Sequence, residues 1–342
     1  MSNFSIAMIL RAIVIATASV MALLAMVSYS PLVDGIDDRY RALLFMGYFK
    51  LSRVTPCFHH IPISFRLTPK HPFPVPVHDC LDVTRYVLKH GKIFGIDVNR
   101  VGVAGESTGG NLAAAVALRL SSEVSSGLPP LKFQAVLYAP LQALDFRLPS
   151  YVEMNESMPV LGSHRMAAHW ALYMGLELSE AEQYSRIMQQ NRHVSPQLLY
   201  KSKYSEYISH RNLPEKFRKP RPHLMRHPAL AKVTTKTDKL SSRELQLFNK
   251  IKHHLTNPMM SPLMAPNLKG LPPSLVVVAE FDVLRDDGLL YAHRLREAGT
   301  KVEVFIGQGY HADFLQIFPD YFHSRTGAKV LQTICNFVRQ QT

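Results

Sequence analysis

One run, Val101-Gly-Val-Ala-Gly-Glu-Ser-Thr-Gly-Gly-Asn111, constrains this chain's fold more than any other stretch. An apolar strand, Val101 to Ala104, enters Gly-x-Ser-x-Gly. A helix-forming segment, Asn111-Leu-Ala-Ala-Ala-Val-Ala-Leu-Arg-Leu120, leaves it. Strand, sharp turn and helix in that order place Ser107 at the apex of a strained turn with its hydroxyl exposed, where it can act as a nucleophile. Gly105 and Gly109 are expected to be required, because a side chain at either would strike the tight backbone. Glu106, Thr108 and Gly110 complete the turn. The N–H of Thr108, the residue after the nucleophile, is placed to donate to an oxyanion.

A serine nucleophile needs a base and a group to orient that base. Ser274-Leu-Val-Val-Val-Ala-Glu280 reads as a buried strand, with Asp282 just past its C-terminal end. Lys301-Val-Glu-Val-Phe305 reads as the next strand, followed by Gly307-Gln-Gly-Tyr-His311. In a parallel sheet, residues after successive strands converge on the C-terminal edge. Asp282 is the expected orienter and His311 the expected base. Asp286 and Asp287 are rivals to Asp282. They are assigned instead to the start of a helix over Gly288 to Ala298, where acids suit the positive N-terminus. The chain holds 16 histidines, and His311 stands out by its glycine-rich loop and late position.

With these residues in place, the sequence resembles arylacetamide deacetylase and its relatives in the hormone-sensitive-lipase branch of the α/β-hydrolases. The matching stretches are Phe65-Arg-Leu-Thr-Pro-Lys-His-Pro-Phe-Pro74, Gly105-Glu-Ser-Thr-Gly-Gly-Asn-Leu-Ala-Ala-Ala115, Leu148-Pro-Ser-Tyr151, Asp282-Val-Leu-Arg-Asp-Asp-Gly288 and Gly309-Tyr-His311. The resemblance implies an α/β-hydrolase fold, doubly wound around a mostly parallel sheet, with a helical cap. It implies hydrolysis of carboxylic esters or arylamides by Ser107, Asp282 and His311. It also implies an endoplasmic-reticulum membrane protein, single-pass type II, with its catalytic domain in the lumen.

One departure from the family pattern matters. The family carries His-Gly-Gly-Gly on the loop after its third strand, upstream of the stretch matching Phe65-Arg-Leu-Thr-Pro69. That loop supplies oxyanion donors. Here there is no His-Gly-Gly and no glycine triplet, and His59-His60 is followed by Ile61-Pro62. The expected sheet therefore lacks its first strands, including the one that the family places between the strand near Ile61 to Ser64 and the elbow strand. Two function readings follow: an active serine hydrolase, or a membrane-anchored, catalytically impaired pseudoenzyme or truncated isoform that binds lipid or a partner.

The remaining sequence sets the expected frame. Ala12 to Val27 is an uninterrupted run of apolar, Ser or Thr residues, extended by Ile6 to Leu10 across Arg11; this is close to the ~20 residues that cross a bilayer. Arg11 before it and Asp34, Asp37 and Asp38 after it favour a signal-anchor with a lumenal body; the alternative is a cleaved signal peptide, which the absence of a small-x-small site before a mature-looking start disfavours. The expected organisation is an anchor over 1–30, a shortened linker over 31–60 and a catalytic domain over 61–342, with a cap over 141–265. Within it a strand is expected near Ile61 to Phe65, helices near His78–His90 and Gly327–Arg339, and a parallel strand over Phe133 to Pro140. In the cap, Trp170, Tyr173, Met174 and Met188 suit either an acyl slot or cap core.

Cys57, Cys80 and Cys335 allow one disulfide and leave an odd thiol. No Cys/His cluster has metal spacing, so neither metal nor cofactor is expected. The net charge of +13 originates in Lys201 to His254, with 14 Lys/Arg against 4 Asp/Glu. No nucleic-acid motif accompanies it, so it reads as a solvated insertion or a face for anionic headgroups. Asn155-Glu-Ser157 is a glycosylation sequon. The expected partners are a small apolar ester or amide and membrane lipid, with no nucleic acid; the sequence does not decide the oligomeric state.

Overall fold

The computed structural model describes residues 61–123, 127–154, 161–221, 241–308 and 325–341. Four strands, β1 (Val103–Glu106), β2 (Gln134–Leu137), β3 (Ser274–Ala279) and β4 (Val302–Gly307), pair in the order β1-β2-β3-β4, all parallel. The register sets Gly105 opposite Val136 and Val136 opposite Val276, so the central strands bury both faces, as short runs of Val, Leu and Ala do in a parallel sheet.

Helix α1 (Val75–His90) precedes β1, and α2 (Thr108–Ser121) links β1 to β2. Between β2 and β3 lie α3 (Pro149–Glu153), α4 (Ser163–Tyr173), α5 (Leu178–Gln189), α6 (Pro196–Lys201) and α7 (Ser242–Leu255). Helix α8 (Arg285–Glu297) links β3 to β4, and α9 (Arg325–Gln341) ends the fold. Local chemistry sets several starts. Ser241 and Glu244 form a capping box on α7, and Pro76 near the start of α1 suits a first turn that needs no N–H.

The two faces of the sheet follow from strand alternation. Val136, Val276 and Val278 face Ala114 and Ala117 of α2 and Leu289, Leu290 and Ala292 of α8. Ala135, Leu137, Leu275 and Val277 face Val330, Ile334, Phe337 and Val338 of α9. Helix α8 lies close to β3: a Cβ added at Gly288 would sit 2.5 Å from Val278 Cγ1.

The strand expected near Ile61 to Phe65 does not form; 61–67 is irregular. A strand needs a ladder, and among the described residues β1 pairs only with β2. The Arg66 N–H instead donates to the Asp79 carboxylate at 2.9 Å, beside the Arg66–Asp79 ion pair at 2.7 Å. Ile63 and Phe65 still pack against the cluster that holds Val77, Leu81 and Leu112. Trp170, Tyr173, Met174 and Met188 belong to the buried core shared with β2 and β3. Cys335 is disulfide-bonded, and Cys80 is a buried free thiol whose pKa is pushed up to about 12 by burial. No helix among the described residues is long and apolar enough to cross a membrane; the apolar segment of 1–30 lies outside them.

Replacing Gly288 by Ala forces a methyl into the α8–β3 contact. The expected cost is about 1–3 kcal/mol, read as a lower urea midpoint at unchanged slope.

Candidate active site

The site begins with a close backbone approach. Strand β1 runs into α2 so tightly that a Cβ on Gly105 would lie 2.1 Å from the Gly109 carbonyl oxygen. Between them Ser107 adopts φ 49° and ψ −123°, a conformation that a residue with a side chain adopts only when its surroundings impose it. The imposing contacts are visible. The Ser107 N–H donates to the Leu137 carbonyl at 2.9 Å, and the N–H groups of Gly110 and Asn111 donate to the Ser107 carbonyl at 3.0 and 3.2 Å. The turn is thus pinned to β2 on one side and to the first turn of α2 on the other.

The glycine expectation needs one correction. Gly105 is required, as argued, but Gly109 is not: a Cβ there meets nothing within 4 Å. The second required glycine is Gly110, where a Cβ would lie 2.7 Å from Ala139 Cβ and 3.0 Å from the Gly105 carbonyl oxygen. The helix turns Gly109 towards open space and Gly110 towards the strands, a distinction that linear spacing does not reveal.

Thr108 opens α2 and is exposed, where a first-turn N–H has no partner within its own helix. Glu106 is partly buried beside Ser107 and accepts a hydrogen bond from the Tyr138 hydroxyl. Burial raises its carboxyl pKa, with the Tyr138 bond pulling the other way. Tyr138 itself has φ 35°. Tyr138 falls within the apolar run Phe133 to Pro140 but just beyond the end of β2, and nothing in the local pattern marks it as a neighbour of the elbow.

Asp282 lies just beyond β3, with 5% of its surface exposed. Its Oδ1 accepts the Leu284 N–H at 3.1 Å and its carbonyl accepts the Arg285 N–H at 3.2 Å. Asp286 and Asp287 occupy the first turn of α8, as expected, but they are not a solvated N-terminus. Both are fully buried. Asp287 accepts from the Leu141 N–H at 2.9 Å and from Gln142 Nε2 at 3.0 Å, and burial pushes its pKa up to about 7. Asp286 accepts from the Ser150 N–H at 2.7 Å and from Arg285 Nε at 2.8 Å. These two acids hold the backbone that follows β2. His311 and Asn155 lie outside the described residues.

Asn111, one helical turn beyond Ser107, is also buried. Its Nδ2 donates to the carbonyls of Pro140 at 2.7 Å and Met260 at 2.8 Å, tying α2 to both ends of the segment between β2 and β3. Among the described residues no group of three or more His, Cys, Asp or Glu could hold a metal ion.

A family profile for the alpha/beta hydrolase fold matches residues 53–204 and 213–316. The chain belongs to the α/β-hydrolase fold family. Within it, the chain is 33% identical to arylacetamide deacetylase of Oryctolagus cuniculus over 86% of its own length and 69% of that protein. It is 32% identical to neutral cholesterol ester hydrolase 1 of Mus musculus over 73% of its length and 58% of that protein, and it groups with the arylacetamide deacetylases. The chain spans between about half and two thirds of the length of these relatives. A thermostable esterase from Pseudomonas putida shares the fold with a TM-score of 0.52 and 23% identity, over 81% of this chain and 62% of the esterase.

Two measurements test this geometry. Gly110→Ala is expected to destabilise by about 1–3 kcal/mol, whereas Gly109→Ala is expected to be neutral or to stabilise by up to about 1 kcal/mol; paired urea titrations decide. For Glu106 the folded state holds its proton more tightly than the unfolded state. Its ionisation therefore subtracts stability as pH rises above the ordinary carboxyl range. The stability of Glu106→Gln relative to the unsubstituted chain is expected to rise between pH 4 and pH 7. A constant difference over that range would contradict the burial argument.

Proposed function

We propose that this α/β-hydrolase is a serine esterase or arylamide deacetylase that works through an acyl-enzyme. The observation that carries the reading is the backbone of Ser107, held at φ 49° between β1 and α2 with an exposed Thr108 beside it. His311 takes the Ser107 proton as Oγ attacks the substrate carbonyl. Asp282 orients the imidazole and stabilises the imidazolium. The Thr108 N–H supports the oxyanion. Collapse of the tetrahedral species breaks the bond to the leaving alkoxide or amine, which takes the proton from His311. Water then attacks the acyl-enzyme by the same steps in reverse roles. Similarity to arylacetamide deacetylase and to neutral cholesterol ester hydrolase 1 supports small apolar esters or amides as substrates. The apolar segment of 1–30 supports a signal-anchor in the endoplasmic-reticulum membrane with the catalytic domain in the lumen, where a disulfide at Cys335 would persist and Asn155 could be glycosylated.

A second reading is favoured by one specific feature. The chain has no His-Gly-Gly sequence to supply further oxyanion donors, and losing one donor typically costs ~10²–10³ in rate. On that reading the triad residues persist in a protein that binds an apolar ligand and turns it over poorly or not at all.

Labelling the full chain with a fluorophosphonate probe separates the two. The active reading predicts labelling that is abolished by Ser107→Ala and by heat denaturation. It also predicts that Asp282→Asn lowers kcat on an aryl acetate by up to ~10⁴. Absence of labelling in a folded, monodisperse sample would sink the active reading.

A further inference from the structure

The loop that presents Asp282 is held from the cap side by a cluster of charges that the mechanism does not use. Arg221 stands in the cap insertion between β2 and β3. Its backbone N–H and Nε donate to Glu153 Oε1 at 2.9 and 3.2 Å, and its Nη2 to Glu153 Oε2 at 3.1 Å. Its remaining arm, Nη1, crosses to Glu280 Oε1 at 2.8 Å. Glu280 is the first residue beyond β3 and its N–H is fixed to the Gly307 carbonyl at 2.9 Å. Arg221 therefore bridges helix α3 and the end of the sheet.

The bridge stands on a buried base. Glu153 and Arg285 are fully buried and meet at 2.7 Å, and Arg285 also binds Asp286 at 2.8 Å and the Glu280 carbonyl at 3.1 Å. Phe217, buried in the cap, lies beneath both guanidinium groups, 4.2 Å from that of Arg285 and 5.5 Å from that of Arg221. The Arg221 guanidinium also lies 5.4 Å from the ring of Phe281. Phe281 is the residue between Glu280 and Asp282, so one cap side chain grips the two residues directly before the acid. A planar, forked guanidinium can span two carboxylates and stack on rings at once, which an ammonium cannot.

We propose that Arg221 is a positioning residue for Asp282: it couples the seating of the cap to the geometry of the acid loop. This rests on the esterase reading for its effect on rate, but the mechanical coupling stands apart from it. Release of Arg221 from Glu280 loosens Glu280 to Leu284 while Arg285, held by Glu153 and Asp286, keeps α8 in place.

The test compares the full chain with Arg221→Met, Arg221→Lys, Glu280→Gln and the exposed-site control Arg211→Met, by amide hydrogen exchange and by steady-state hydrolysis of an aryl acetate. In Arg221→Met, exchange at Leu284 and Arg285, whose N–H groups bond to Asp282, is expected to quicken by about tenfold or more, while Leu275 to Ala279 in β3 stays protected. The value of kcat is expected to fall by about tenfold to a hundredfold with KM little changed. Arg221→Lys recovers only part of either loss, because the charge returns without the fork. Glu280→Gln moves both in the same direction by less and serves if Arg221→Met does not fold. Arg211→Met matches the unsubstituted chain. Unchanged exchange at Leu284 and Arg285 in the Arg221 and Glu280 variants, or an equal rise in β3, overturns the proposal. If the unsubstituted chain does not hydrolyse the ester, the esterase reading fails and the exchange data still decide the coupling.

Discussion

The contact between the Gly105 backbone and the Gly109 carbonyl is the constraint from which the rest of the site follows. Without room for a Cβ, strand and helix approach closely enough for Ser107 to be driven to positive φ, with its carbonyl capping the first turn of α2. The parallel ladder with β2 holds the turn from the other side through the Leu137 carbonyl. Strain of this kind, worth about 1–3 kcal/mol, persists only because the apolar packing of α2 against β1 and β2 exceeds it. The same approach sets the N-terminus of α2 beside Ser107, with Thr108 exposed at its first position.

The second organising element is a buried set of acids at the start of α8. Asp286 and Asp287 reach across to the backbone of Ser150 and Leu141, and Arg285 joins Glu153 at the end of α3. Burying such charges is costly unless every one is met, and breaking a buried pair by removing one partner costs about 3–5 kcal/mol. Here Asp286 accepts a backbone N–H and the Arg285 guanidinium, and Asp287 a backbone N–H and the Gln142 amide, so the cost is offset by bonds that also fix the path of the chain after β2. This scaffold separates the acids by place: Asp282 lies just beyond the strand end, while Asp286 and Asp287 brace the fold.

Where a local pattern contained its own cause, the sequence was legible. The elbow, β2, β3, β4 and the flanking helices fall within a few residues of their expected bounds, because short apolar runs between turn residues admit few alternatives in a parallel sheet. The expected strand at Ile61 to Phe65 did not form, because a strand depends on a partner that local composition cannot supply. Gly109 and Gly110 exchanged roles because a helical turn decides which of two adjacent residues faces the sheet. Trp170, Tyr173, Met174 and Met188 suited either a slot or a core, and their packing against the sheet domain made them core.

By itself the sequence determined the α/β class, the position of Ser107 on a strand-to-helix turn and the place of Asp282 just beyond β3. Those features rest on contacts between residues near in the chain, or on the order of elements along a parallel sheet. Tertiary structure alone decided that Tyr138 bonds to Glu106, that Asp286 and Asp287 are buried braces, and that Arg221 spans Glu153 and Glu280. Each of these joins residues 32 to 146 positions apart, and pairings at that distance are fixed by the register of β1 with β2 and by how the segment between β2 and β3 packs on the sheet, which no local pattern encodes.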